Sequence, residues 1–490
     1  MSIGRERVGH ESDGIRCSII CPPQNAMALP RIKNLNSSSA SLNSGKRAFA
    51  RALHLFHEAA ERVPAYKDFL KKEKVRPEQV RGESDFEQVP LTDKSNYFSR
   101  YDLKDLSWDG TLASAKYVSM SSGSTGIPFF WPRGEEQDVM VGLMAQRLYE
   151  DIFDARHGTT LFVDSFSLGT WIAGLEFFNS VRWAAEHGTH ITVVTPGIDK
   201  EEAVHQIKTL APLFSRVILA GYPPFVKDIL DHGIINGIDW KTIDLRLLFA
   251  GEAVSEVWRD SVFALAGKTG GVFTRSVNIY GMAESGVVAH ETPASLLLRR
   301  NLKELSKTIP GLPGADQVTG LYQYYPLARY FETVSDNSLV LTANAGLPLI
   351  RYSTRDNGGL LGKEVFADSA LASAAKQNGV DLAKWQLPFV YLYGRKDLSV
   401  SFYALIIYNE NVKHALEHSR HASKLSGLFT MSVTHAGNLD QQFAIVIELS
   451  KKAVPSASLA KALAQEIAEK ISLVNSEYAK LHSVIGNRAQ

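Results

Sequence analysis

TTLFVD (Thr159–Asp164), THITVVTP (Thr189–Pro196) and SRVILAGY (Ser215–Tyr222) are apolar, β-branched runs separated by helix-length segments. Ala173–His187 and Lys200–Leu210 fill the gaps with amphipathic patterns, and a third helix runs on to Leu230. Buried strands alternating with helices predict a parallel sheet with helices on its faces, because parallel strands need crossovers that cover the sheet. LRLLFAGEA (Leu245–Ala253) and SVNIYGMAESG (Ser276–Gly286) repeat the theme, each a strand running into a glycine-containing loop. The carboxyl ends of such strands are where open α/β sheets bind ligands.

Upstream, Ser121–Pro128 reads SSGSTGIP, with two glycines and four hydroxyl residues in eight positions. Glycine lets backbone N–H groups approach a guest closely, so the stretch suits a loop laid around a polyanion such as a triphosphate. A plain surface linker has the same composition, and the spacing and lysine of a GxxxxGK[ST] loop are missing. Ala115–Met120 leads into the loop as a strand. Before it, Phe49, Leu53, Phe56 and Ala60 mark one face of a helix that stops near Pro64, and PLTDKSNY (Pro90–Tyr97) offers Thr92 or Asp93 as a helix N-cap. Downstream come SLVLTANAG (Ser338–Gly346) and PLIRYSTRDNGG (Pro348–Gly359). Beyond Gly394 follow a helix near Asn411–His418, strands Leu428–His435 and Gln442–Leu449 around an Ala436-Gly437-Asn438 turn, and a helix carrying Leu459, Leu463, Ile467 and Ile471. That set makes a small α+β unit.

With 490 residues, 45% hydrophobic and 21% charged, the chain has the composition of a globular protein of two or three domains. A net charge of +1 offers no basic face for nucleic acid. No apolar run approaches the length of a membrane helix. Cys17 and Cys21 are too few for a disulfide framework or a four-ligand zinc site, which fits a reducing, cytoplasmic setting. Residues 1–45, with the polar tract NSSSASLNSG, read as a disordered or loosely attached tail.

Five stretches, SSGSTGIP, GEA (Gly251–Ala253), IYGMAE (Ile279–Glu284), PLIRYSTRD (Pro348–Asp356) and GRKD (Gly394–Asp397), stand in the order and spacing of the adenylate-forming superfamily. Together with ERVPAYKDFL (Glu61–Leu70) and VPLTDKSNY (Val89–Tyr97), they resemble its phenylacetate-CoA-ligase-like branch. The resemblance implies an α/β fold: a large N-terminal domain over 46–393, with mostly parallel sheets flanked by helices, and a small α+β C-terminal lid over 394–490. It implies ATP-dependent activation of an organic, aromatic carboxylate to an acyl-adenylate, and transfer to CoA or another small nucleophile such as an amine. A homodimer is compatible with it.

By position, Ser121, Ser122, Gly123, Ser124, Thr125 and Gly126 would hold the phosphates. Gly251, Glu252 and Ala253 would line the adenine slot, with Tyr280 stacking on the base beside Gly281. Glu284 would hold Mg²⁺, Asp356 the ribose, and Arg395 with Asp397 the hinge; Thr125, Glu284 and Arg395 would serve the reaction directly. A carboxylate is the ligand Mg²⁺ takes beside phosphate oxygens, and Asp356 has the group to accept two ribose hydroxyls. Tyr280 is equally a core aromatic, and Asp356 equally a turn aspartate before Asn357-Gly358. Phe166, Trp171, Tyr222 and Phe225 are candidate walls for the acid, or core.

Ile127 stands where the family has a lysine, Ala283 where it has Thr or Ser, and Ser353 and Arg355 where it has Arg and Gly. Tyr403 or Ala404 in LSVSFYALIIYNE replaces a hairpin glycine, and no lysine follows Lys480, although Arg488 does. These departures leave three readings open: transfer to CoA, transfer to an amine or other nucleophile, or a nucleotide-binding homologue without turnover.

Overall fold

The structure, a computed structural model, describes residues 44–120, 129–268, 270–309, 311–315, 317–395, 399–402, 405–435, 441–451, 453–475, 478–479 and 482. The described residues fall in one compact unit, which begins at Ser44. Most of the expected tail, the whole of SSGSTGIP and the hinge aspartate Asp397 lie outside the described residues. Ser44 and Gly45, assigned to the tail, instead open the first helix.

A short ribbon comes first, β1 (Tyr117–Met120) against β2 (Phe130–Arg133), antiparallel, so SSGSTGIP connects the two strands of a ribbon. The central sheet is built from β3 (Thr160–Ser165), β4 (Ile191–Val194), β5 (Arg216–Gly221), β6 (Leu245–Ala250), β7 (Ser276–Met282), β8 (Gly286–His290), β9 (Gly320–Gln323), β10 (Tyr330–Thr333), β11 (Ser338–Ala345), β12 (Leu347–Leu361) and β13 (Phe389–Arg395). Its eleven strands run in the order β10-β11-β12-β13-β9-β8-β7-β6-β5-β3-β4. The expected parallel pairing occupies β4, β3, β5, β6 and β7. From β7 to β10 every pairing is antiparallel.

The parallel half follows from period-two alternation within strands buried on both faces. Phe162, Ile218, Ala220 and Leu248 point to one side, under the helices Glu135–Arg147 and Ile172–Glu186. Leu161, Val163, Val217, Leu219, Leu247 and Phe249 point to the other, under Lys200–Leu210, Pro223–Ile235 and Glu256–Leu265. Each fully buried large apolar side chain contributes about 1.5–3 kcal/mol. The chain passes from β3 to β4 on one side and then returns to β5 on the other side of β3. The connecting helices therefore leave on opposite faces and open a crevice at the carboxyl ends of β3 and β5.

Pro64 does not merely end the first helix, Ser44–Arg62; it occupies the first turn of a second, Pro64–Lys72, where its missing N–H costs nothing. Asp93 caps no α-helix. Its carboxylate accepts from Ser95 N at 2.6 Å and Asn96 N at 2.7 Å, closing a tight turn before a single 3₁₀ turn, Phe98–Arg100.

Past β13 come a hairpin, β14 (Ser399–Phe402) with β15 (Leu405–Tyr408), the helix Asn409–Glu417, and a ribbon, β16 (Leu425–His435) with β17 (Gln441–Leu449). The helix Ala457–Val474 buries Leu459, Leu463, Ile467 and Ile471, the expected stripe, in a cluster of this segment's own with Ile407, Val412 and Leu425. Tyr403 and Ala404 lie outside the described residues.

Candidate functional site

The loops at the carboxyl ends of β5, β6 and β7 meet beside the crevice. Gly251 follows β6 with φ of +88°, and a Cβ there would stand 2.8 Å from the Tyr222 ring, so this turn requires glycine. Asn278, buried in β7, donates to the backbone oxygen of Glu252 at 3.1 Å and to the Tyr322 hydroxyl at 3.2 Å. Its own N–H donates to Glu291 Oε2 at 2.7 Å, and Arg259 grips that carboxylate through two bonds at 2.7 and 2.9 Å. A buried ion pair thus supports the Gly251–Ala253 turn from behind.

Two residues on, Tyr280 is 7% exposed, packed against Tyr322 at 5.8 Å and Phe331 at 6.4 Å between ring centres. Its hydroxyl donates to Asp356 Oδ2 at 2.5 Å. Tyr280 is therefore a core aromatic whose polar end reaches the expected ribose acceptor. Across the ladder, Asp356 on β12 faces Arg395 on β13; Arg395 is described in its backbone only.

Four residues beyond Tyr280, Glu284 is buried at the β7–β8 turn, and Lys94 Nζ pairs with its Oε1. The Tyr352 hydroxyl faces the same carboxylate, and burial first, then that negative charge, push it well above its ordinary range. Lys94 escaped the sequence-based assignment. It reaches Glu284 because the segment before it is strapped to β12: Thr92 N donates to Arg351 O at 3.1 Å, and Ser353 N to Thr92 O at 2.9 Å. Among the described residues no group of three or more His, Cys, Asp or Glu side chains could hold a metal. Glu284 alone fits a Mg²⁺ that takes its remaining ligands from phosphate oxygens and water.

SSGSTGIP itself is undescribed, but both of its flanks are fixed beside Glu284. Met120 N donates to Thr170 O at 2.8 Å. Arg133 ends β2, donates from Nε to Ser119 Oγ at 2.9 Å, and reaches Glu284 O at 3.0 Å. The two strands that flank SSGSTGIP are therefore tied to the turn that carries Glu284.

The four candidate walls separate. Phe166 is fully buried, stacked on Phe177 at 5.0 Å and edge-on to Tyr222 at 5.1 Å, so it belongs to the core rather than to a surface that could face a substrate. Tyr222 is half-buried against the Gly251 turn. Trp171 and Phe225 line an open depression of about 740 Å³ with Leu168 and Pro196. Trp171 also bridges to Met120, which puts the depression next to the undescribed loop.

No protein-family model and no curated protein sequence matches the chain. Its fold is that of solved adenylate-forming ligases. 2-Hydroxyisobutyryl-CoA ligase in the postadenylation state, in complex with R3-HIB-AMP, aligns with a TM-score of 0.64 at 15% identity, over 88% of this chain and 83% of that one. The same ligase in an open conformation with 2-HIB-AMP and CoA gives 0.58 at 16% identity, over 88% and 90%. Its thioesterification state, also with 2-HIB-AMP and CoA, gives 0.53 at 15% identity, over 88% and 84%.

Proposed function

We propose that the protein activates an organic carboxylate with ATP and passes the acyl group to CoA or another small nucleophile. The carboxylate oxygen attacks the α-phosphorus, the bond from that phosphorus to the bridging oxygen breaks, and pyrophosphate leaves with the electron pair. The observation that carries this reading is the bipolar stretch from Tyr280 to Glu284. Its first residue is joined to Asp356, a ribose acceptor, and its last to Lys94, a cation for phosphate charge.

Gly251, Glu252, Ala253 and Gly281 would border the adenine, and Ser121–Gly126 the leaving phosphates, with Thr125 among them. Tyr280 would border the nucleotide by its edge. Glu284 would hold Mg²⁺, whose charge stabilises the leaving pyrophosphate. The reaction needs little covalent help: positioning and charge neutralisation carry it. Residues 394–490 would act as the lid, turning about Arg395 and Asp397. The Trp171–Phe225 depression has room for an aromatic acid. The phenylacetate-CoA-ligase-like branch is favoured by ERVPAYKDFL and VPLTDKSNY, since the second delivers Lys94. A near-neutral charge argues against nucleic acid. No helix among the described residues is long and apolar enough to cross a membrane.

Carboxylate-dependent ATP–pyrophosphate exchange against aryl acids and short hydroxy acids tests the activation step; no exchange with any acid overturns it. The side chain at Tyr403 or Ala404, in place of a glycine, favours a second reading in which an amine accepts the acyl group. Product mass with CoA, with amines and with neither decides between them.

A further inference from the structure

The five-residue turn Ala283–Val287 carries Glu284, and buried side chains from three other parts of the chain converge on its backbone. Arg133, from β2, is fully buried. Its guanidinium donates to the carbonyls of Ala283 and Glu284, the latter at 3.0 Å, and to Ala345 O at 3.0 Å. Arg329, 1% exposed, donates to Ser285 O at 3.4 Å and Val287 O at 3.2 Å. From the helix Ile172–Glu186, Glu176 accepts from Val287 N at 2.9 Å. Gln137 completes the set, accepting from Arg133 at 3.3 Å and donating to Ser285 O at 3.4 Å.

A guanidinium satisfied by neutral carbonyls is an unusual use of a buried charge, since a carboxylate partner normally offsets the desolvation. Among the described residues no carboxylate bonds either arginine directly, and Glu176 balances both across the turn. Burial pushes the Glu176 carboxyl up to about 7, with Arg133 and Arg329 opposing that rise. Gly286 is shaped to the arrangement: its φ is +70°, and a Cβ there would overlap Glu176 Oε1. Ala283 has no polar side-chain group with which to anchor the turn. The arginine fork, rigid and rich in donors, holds the main chain instead.

We infer that Arg133, Arg329 and Glu176 form a positioning clamp that fixes the Glu284 carboxylate for Mg·ATP and, through the Arg133–Ser119 bond, ties the end of β1 to the same turn. The clamp rests on the adenylating activity proposed above and deepens it. Each of the three acts through the main chain of the turn. Lysine at position 133 keeps the charge but cannot fork to two successive carbonyls and a hydroxyl at once.

Calorimetric titration of the full chain with Mg·ATP, and separately with ATP in EDTA, tests the clamp. Arg133→Lys and Arg329→Lys are expected to weaken Mg·ATP binding about tenfold or more, while metal-free ATP binding changes by less than about twofold. The Mg²⁺ concentration for half-maximal exchange rises in parallel. A general loss of structure would weaken both titrations equally; that outcome, or unchanged Mg·ATP binding in the folded variants, overturns the clamp. If Arg133→Lys does not fold, Gln137→Ala, which removes one strut without unpairing a charge, is judged by the same two titrations. Wild-type protein that binds ATP in neither form refutes the adenylating activity and the clamp with it. Wild-type binding with insensitive variants refutes the clamp alone.

Discussion

Tyr280 and Asp356 share a hydrogen bond of 2.5 Å although three strands, β13, β9 and β8, separate β12 from β7 in the sheet. The antiparallel half of the sheet must curl to bring them together, around a cluster holding Tyr280, Val288, Tyr322, Leu339, Leu341 and Val390. Tyr280→Phe keeps the ring against Tyr322 and Phe331 and removes only the donor. Its expected cost is about 1–3 kcal/mol of stability, the usual range for a buried bond to a charged acceptor. Asp356→Ala is expected to weaken ATP binding by roughly two orders of magnitude, since the proposed ribose acceptor, which would take two bonds, is lost. Urea unfolding checks the first and calorimetry with ATP the second; an Asp356→Ala protein that binds ATP as tightly as wild type removes Asp356 from the nucleotide site.

Lys94→Met preserves the stem and deletes the charge opposite Glu284. A cation aimed at developing phosphate charge is worth about 3–4 kcal/mol, so exchange is expected to slow by about 10²–10³. Rescue by Lys94→Arg is expected to be partial, since a fork replaces a point charge. Equal rates for Lys94→Met and wild type would return the lysine to a purely structural role.

Legibility varied with the range of the interaction. The parallel strands and the Ile172–Glu186 and Lys200–Leu210 helices were readable within a residue or two, because alternation and amphipathicity are local patterns. The antiparallel half was not, since register between β12 and β13 depends on pairing over long separations. Phe166 looked like a substrate wall because an aromatic at a strand end reads alike whether it faces a ligand or a core; only its stacking on Phe177 separates the two. Lys94 and Arg133 were missed for a related reason: each acts on Glu284 from about 150 or more positions away, and no local spacing announces that.

Asp164, next to the last residue of β3, is fully buried, and burial raises its carboxyl to about 8, opposed only by the Phe166 N–H at 3.3 Å. In the unfolded chain the same group titrates near 4. Between about pH 4 and 8 the native state thus holds a proton that the unfolded state has released. The contribution of Asp164 is present below the unfolded pKa and is lost as pH rises towards 8, by up to about 1.4 kcal/mol per pH unit. Asp164→Asn is neutral at every pH and nearly isosteric, so its stability relative to wild type is expected to grow steadily from pH 5 to pH 8. Urea unfolding at four pH values measures the difference; a constant offset between the two proteins would show that Asp164 is ionised in the native state.

Lys413, from the helix Asn409–Glu417, donates to Ala253 O at 2.5 Å and faces Glu252 at 3.4 Å, and Glu417 of the same helix bonds Ser255. Three contacts thus bring the C-terminal segment onto the turn assigned to adenine. Burial raises the Glu417 carboxyl above its ordinary range, with Lys413 opposing the rise. Removing Lys413 therefore weakens the latch twice, once directly and once by leaving Glu417 with less compensation. Lys413→Ala is expected to loosen the segment while leaving the central sheet intact, because the segment keeps its own core around Ile407, Val412 and Ile471. Hydrogen exchange followed by peptide mass should show faster exchange in residues 409–417 and 251–255, with β3 and β5 unchanged. Exchange that stays as slow as in wild type in both peptides would mean that the segment is held to the body by something other than this lysine.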